Sequence, residues 1–143
     1  MSGKVLGLFV STKESGRVNK ESVEIDDNGI LGDKFYGKDL TRTILISSLE
    51  SYQMAKESDI EVAFGELGEN IIIDLNPYSL ASGDKIVIGD LELEITQNCT
   101  ICNTLSKVDK RLPKLLKSDR GIFAKALSSA TIKVGDRVSI EKV

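Results

Sequence analysis

Short apolar runs of four to seven residues, many bounded by Gly, Asp or Asn, recur along the whole 143-residue chain. They bound its fold more tightly than any other feature. Lys4–Val10, Ser22–Ile25, Thr43–Ile46, Asn70–Ile73, Lys85–Ile88, Leu91–Thr96, Ile122–Leu127 and Arg137–Ile140 carry Val, Ile or Leu continuously or at alternate positions. Runs of that length and composition read as buried or half-buried strands. Gly-Asp pairs at 32–33, 83–84, 89–90 and 135–136 punctuate them. Glycine there supplies the positive φ that tight turns need. The stretch from Gly83 to Ile95 reads as a hairpin.

Helical signals are fewer. Ser47-x-x-Glu50 reads as a capping box opening a helix over Leu49–Ser58, with Leu49, Tyr52 and Ala55 on one face. A second helical stretch is expected within Asn103–Lys117, interrupted near Pro113. Closely spaced strands with few helices favour a mainly β, closed or partly closed barrel over a βαβ sheet. With no linker, repeat or low-complexity tract, residues 1–143 read as one domain.

Charge and residue usage exclude several functions. A net charge of −3 and the absence of Trp argue against nucleic-acid binding and against an anionic membrane surface. No apolar run approaches the roughly 20 residues that span a bilayer. The N-terminus shows no signal-peptide pattern, so a cytoplasmic protein with reduced thiols is expected. Thr104–Lys125 carries seven basic and two acidic residues, a local +5 that leaves −8 elsewhere and suits a small anionic ligand. The chain has no histidine, which removes Ser-His, Cys-His and His-metal constellations. Two cysteines alone complete no tetrahedral zinc site, so no zinc is expected.

Four constellations remain. Cys99-Thr-Ile-Cys102 follows an expected strand and precedes an expected helix, where a thiolate is favoured by the helix dipole and by nearby Lys107, Lys110 and Arg111. Cys102 is then a nucleophile, a sulfur carrier or a metal ligand, or both thiols are small buried hydrophobes. Arg120-Gly121 offers a guanidinium fork and close backbone approach, or is a charged turn. Gly65-Glu66-Leu67-Gly68-Glu69-Asn70 is a glycine turn into a strand that offers hydrogen bonds to a ligand, or is structural. Arg42 heads an apolar strand and needs either a ligand or a partner such as Asp33.

Taken in order, these pieces resemble the MOSC family, the domain at the C-terminus of molybdenum cofactor sulfurases. The matching text includes Gly29-Ile-Leu-Gly32-Asp33, Arg42-Thr-Ile-Leu-Ile, Gly65 to Asn70, Gly83-Asp84, Ile88 to Gln97, Cys102-Asn-Thr-Leu105, Arg120-Gly121-Ile-Phe-Ala and Val134-Gly135-Asp136. The resemblance implies a MOSC-type β-barrel with one or two short inserted helices. It aligns the family's cysteine with Cys102 and leaves Cys99 as an addition. Cys102 would carry sulfur as a persulfide or ligate molybdenum of the molybdopterin cofactor. Asp33, Arg42, Gly68, Glu69, Asn70, Arg120 and Gly121 would serve the anionic pterin ligand. Lys34 to Gly37 stand where many members have a histidine, and Ile101 where a proline is common. A sulfur-donor protein or a molybdoenzyme acceptor is the implied partner. Two other readings stand beside sulfur transfer or molybdenum-dependent catalysis: a non-catalytic module that binds and delivers molybdopterin, and a Cys-x-x-Cys thiol oxidoreductase.

Overall fold

A computed structural model describes residues 2–12, 14, 16–99, 103–117 and 119–142. Cys102, the residue singled out above for sulfur or molybdenum, lies outside the described residues, as do Thr100 and Ile101.

The elements run β1 (Ser2–Thr12), β2 (Gly16–Lys20), β3 (Ser22–Asp26), β4 (Gly29–Ile30), β5 (Ile44–Ser48), α1 (Leu49–Glu57), β6 (Ile71–Ile73), β7 (Lys85–Ile88), β8 (Leu91–Asn98), α2 (Asn103–Val108), α3 (Leu112–Leu115), β9 (Ile122–Ala126), β10 (Ala130–Lys133) and β11 (Arg137–Glu141). All eight runs expected to be strands are strands. The pattern missed β2, β4 and β10, because Gly16–Lys20 and Ala130–Lys133 are polar and β4 is only two residues long.

Seven strands close a barrel in the order β11-β7-β8-β9-β5-β6-β1, with β1 returning to β11. Closure comes from Ser2, Gly3 and Lys4 opposite Ser139, Val138 and Arg137. Neighbours are antiparallel except β5 and β6, which lie parallel and are linked through α1. A single β-strand long enough to change partners makes this possible. β1 pairs with β11 at its start, with β6 at Val5–Leu8 and with β2 from Leu8 to Thr12. A bulge between Val5 and Gly7 resets its register. β3, β4 and β10 form a small second sheet.

Period-two alternation then sorts the side chains. Ile44, Ile46, Ile71, Ile73, Ile122 and Ala124 point into the barrel and pack with Ile86, Ile88, Leu91 and Leu93. Phe9 and Ile72 point outward and meet Tyr52, Leu105, Leu112 and Leu116 from the helical side. Leu45 and Phe123 also point outward, where they meet Cys99. The hairpin of β7 and β8 turns at Gly89-Asp90, with Gly89 at φ 57°.

Two helix expectations need correction. The N-cap of α1 is Ser48, whose hydroxyl accepts from the Glu50 N–H; Ser47 instead donates to the Arg120 carbonyl at 2.9 Å. The residue expected to cap therefore ties β5 to the loop before β9. Leu49 is only half-buried, and the buried face is Ser51, Tyr52 and Ala55. The interruption expected near Pro113 is present: α2 ends at Val108, and Pro113 sits in the first turn of α3, where its missing N–H costs nothing. Among the described residues, no helix is long and apolar enough to cross a membrane.

Ile71 is fully buried where β6 bridges β1 and β5. Ile71→Ala is expected to cost about 2–5 kcal/mol in equilibrium urea unfolding, the range for emptying a packed core position.

Candidate functional site

The outward residues Leu45 and Phe123, with Cys99 just past β8, form the apolar floor of a cavity of about 610 Å³. That size falls among small-molecule sites. The cavity lies against the outer wall of the barrel rather than inside it, since the interior is filled by isoleucine and leucine. Its walls come from Ser11 at the end of β1, Arg17 of β2, the segment from Lys34 to Thr43, the turn at Gly68 and Asn70, and Arg120.

The lining is cationic. Arg17, Lys34, Lys38, Arg42 and Arg120 contribute to it, against one lining carboxylate among the described residues, Asp39. Asp39 is already held by Thr41, whose hydroxyl and N–H lower its pKa. Arg120 is 4% exposed. Its Nη1 donates to Cys99 Sγ at 3.3 Å and its Nη2 to the Leu67 carbonyl at 2.9 Å, neither of them a carboxylate, while Nε has no partner among the described residues. Oγ1 of Thr43, a lining residue 2% exposed, has none there either, nor has Oε1 of Glu69, which is outside the lining. Buried polar atoms without partners are rare in folded proteins, and a buried cation needs compensating negative charge.

Gly68 has φ +87°, and a Cβ there would meet Arg120 Nη2 at 3.4 Å and Arg17 Nη2 at 3.8 Å. The bare backbone lets two guanidiniums approach the same spot. Arg17 is anchored by donating from Nη1 to the Glu69 carbonyl oxygen at 2.7 Å. Burial lowers its pKa, and the carboxylates of Glu69 and Asp33 partly offset this.

Asp33 and Asn70 form the frame. Asp33 Oδ1 accepts from the Ser11 N–H at 2.7 Å and from Asn70 Nδ2 at 3.3 Å, and its Oδ2 from the Phe35 N–H at 3.2 Å. Asn70 Oδ1 accepts from the Leu45 N–H at 3.0 Å, and its Nδ2 also donates to the Phe9 carbonyl. One buried pair thus pins β1, β5 and the Lys34–Phe35 turn together. Asp33 is not the partner of Arg42. The Arg42 guanidinium instead lies 4.9 Å from the centre of the Phe123 ring, a cation–π contact.

Of the residues singled out from sequence, Arg42, Gly68, Asn70 and Arg120 line the cavity. Asp33 stands just behind it. Glu69 points away: it is fully buried and accepts a short hydrogen bond from the Tyr52 hydroxyl. Gly121 serves packing, because a Cβ would lie 2.9 Å from Leu45 Cδ1 and 3.3 Å from the Ile46 carbonyl. The basic stretch of 104–125 supplies only Arg120 among the lining cations; Lys107, Lys110, Lys114 and Lys117 are exposed and Arg111 pairs with Asp109. The cations missed by sequence reasoning are Arg17, Lys34 and Lys38, which lie in polar turns and a polar strand without a ligand motif. Cys99 was set aside as an addition, yet its thiol is at the floor.

A model of the MOSC domain family matches residues 30–139. No curated protein matches the chain. Among solved structures, YuaD from Bacillus subtilis is similar at a TM-score of 0.85 and 18% identity, covering 100% of this chain and 97% of its own. YiiM from Geobacillus stearothermophilus is similar at 0.72 and 17%, covering 98% and 75%. YiiM from Escherichia coli matches at 0.72 and 17%, covering 100% and 71%. At these identities the likeness speaks for the fold.

The buried Glu69 generates a pH signature. Burial pushes its carboxyl above the ordinary carboxylate range, opposed in part by the Tyr52 hydrogen bond and by Arg17. The folded state therefore holds this proton more tightly than the unfolded chain. Its stabilising contribution is complete below the unfolded pKa of about 4.3 and is lost as pH rises through the folded value. Glu69→Gln should remove that dependence. In urea unfolding between about pH 5 and pH 8, wild type should lose stability relative to the variant as pH rises. Parallel curves would show that Glu69 does not titrate there.

Proposed function

The chain belongs to the MOSC domain family, and we propose that its outer-wall cavity binds the anionic pterin-phosphate part of a molybdenum cofactor. In this reading Cys102 carries sulfur as a persulfide or ligates the metal. The observation that supports the reading most is the Arg120 guanidinium, buried at the cavity wall with Nε unpartnered and no carboxylate among its hydrogen-bond acceptors.

The residues present fit such a group. Arg17 and Arg120, brought together over Gly68, would hold phosphate oxygens through charge-assisted hydrogen bonds. Lys34, Lys38 and Arg42 would add positive potential, and Thr43 Oγ1 would supply a further hydrogen bond. Phe35 and Phe123 add aromatic surface to the lining, each with a cation over its ring, Lys34 at 5.1 Å and Arg42 at 4.9 Å. When bound, the cofactor would supply redox chemistry at molybdenum. The chain's own part is to bind and orient the anion and to present a thiol. Cys102 enters through the family resemblance alone. The cation set around the cavity is independent of Cys102, which also favours a second reading: a module that binds and delivers the cofactor without chemistry.

Protein purified from a cofactor-producing host should contain molybdenum by elemental analysis and a pterin by mass spectrometry. Arg120→Gln should retain roughly 10- to 100-fold less, the equivalent of one charge-assisted hydrogen bond of about 1.5–3 kcal/mol. Loss of retention in Cys102→Ser as well supports a sulfur or metal role for the thiol. Full retention in Cys102→Ser with loss in Arg120→Gln supports the delivery module. Wild type free of pterin and molybdenum would sink both.

A further inference from the structure

Seven large apolar side chains are exposed among the described residues, and four of them, Leu31, Phe35, Tyr36 and Leu40, fall within one ten-residue segment. Scattered singly such residues mean little, but gathered they mark a contact surface. The segment is tied down, so the exposure belongs to a built surface. The Lys34 N–H donates to the Ser11 carbonyl at 2.7 Å, the Gly37 N–H to the Asn28 carbonyl at 2.8 Å, and the Tyr36 hydroxyl to Asp26 Oδ2 at 2.5 Å. Two turns, closed by the Tyr36 N–H on the Asp33 carbonyl and the Lys38 N–H on the Phe35 carbonyl, fold the segment onto itself.

We propose that this segment is the docking surface for a protein whose contact face is apolar and acidic, and that the partner seats over the mouth of the cavity. Charge selects the partner's chemistry. Lys34 and Lys38 stand exposed among the apolar side chains, on a chain of net charge −3. Asp33 is buried in its own hydrogen bonds, which leaves Asp39 as the one exposed carboxylate of the segment. Asp26 and Asp27 lie beside Tyr36, so the positive charge is concentrated where Lys34, Lys38 and Arg42 meet the cavity. An anionic lipid surface presents negative charge everywhere and is repelled by that acidic pair and by the chain as a whole. A protein face can place its carboxylates opposite the lysines alone.

Lys34, Phe35 and Lys38 belong both to the exposed segment and to the cavity lining. A partner seated there covers the mouth and pairs its carboxylates with cations that also face the cavity. Each such pairing draws positive potential away from the cavity, so docking and retention of an anion oppose each other. That opposition suits a partner that receives the anion. This receiving role rests on the reading of the cavity as an anion site, whereas the docking surface does not. Because the segment is ordered before contact, docking loses little conformational entropy there.

The test is photo-crosslinking of the full chain in a cofactor-producing host. Leu40→benzoylphenylalanine should give a protein adduct that Leu127→benzoylphenylalanine, similarly exposed but outside the segment, does not. The protein so identified, once purified, should bind the wild-type chain with an affinity that falls roughly tenfold in Leu31→Ser/Leu40→Ser. Binding should also weaken as salt rises. Neither leucine lines the cavity, so the double variant should bind inorganic phosphate as wild type does by calorimetry. Adducts with lipid only, with a second copy of this chain only, or equal at both positions would overturn the proposal, as would an affinity indifferent to the double variant. Phosphate separates the two ideas. If wild type binds no phosphate while the Leu40 adduct forms, the anion reading falls and the docking surface stands. If phosphate binds and no protein adduct forms at position 40, the docking surface falls and the anion reading stands. Saturating phosphate should weaken partner binding, and an unchanged affinity would remove the receiving role.

Discussion

Closure of the barrel through three residue pairs, Ser2–Ser139, Gly3–Val138 and Lys4–Arg137, is the contact on which the rest of the architecture depends. Joining the first strand to the last removes the sheet's open edges and gives every ring strand an inside and an outside. The inside fills with branched aliphatics, so nothing else fits there. The outward residues must be covered by other parts of the chain. The helices cover Phe9 and Ile72, and the segment from Lys34 to Thr43 arches over Leu45 and Phe123. The cavity is the space left under that arch.

The same economy explains why polar groups converge there. β1 runs past the point where it leaves β6 and carries on paired only with β2, which brings Ser11 and Arg17 beside the barrel wall. The Asp33–Asn70 pair then fastens the arch to β1 and β5 through backbone N–H groups. A buried network of this kind is stabilising only when its members are satisfied. Asp33 and Asn70 are satisfied within the protein. Arg120 Nε and Thr43 Oγ1, of two residues that line the cavity, and Glu69 Oε1, behind it, have no hydrogen-bond partner among the described residues.

The strand pattern was legible because β-rich runs such as Lys85–Ile88 and Leu91–Thr96 announce themselves by local composition and by the Gly-Asp turn between them. The helix start was misread by one residue, since Ser47 and Ser48 are both competent caps and only the neighbouring Arg120 carbonyl decided between them. The site was legible in part. Arg42, Gly68, Asn70 and Arg120 stood in recognisable motifs, and they line the cavity. Glu69 and Gly121 stood in the same motifs and face elsewhere, because adjacent residues in extended chain point to opposite sides.

By itself the sequence determined a mainly β chain, the places where it turns, the resemblance to the MOSC family and the absence of any histidine from its chemistry. Those are properties of residue type and short-range order. Tertiary structure decided which cations meet, that the basic stretch before β9 contributes only Arg120 to the cavity lining, and that the thiol set aside as an addition lies against a guanidinium. These contacts join residues 21 to 53 positions apart, such as Arg120 with Cys99 and with Leu67, or Arg17 with Glu69. Such pairings are set by the closure and register of the sheet, which no local pattern encodes.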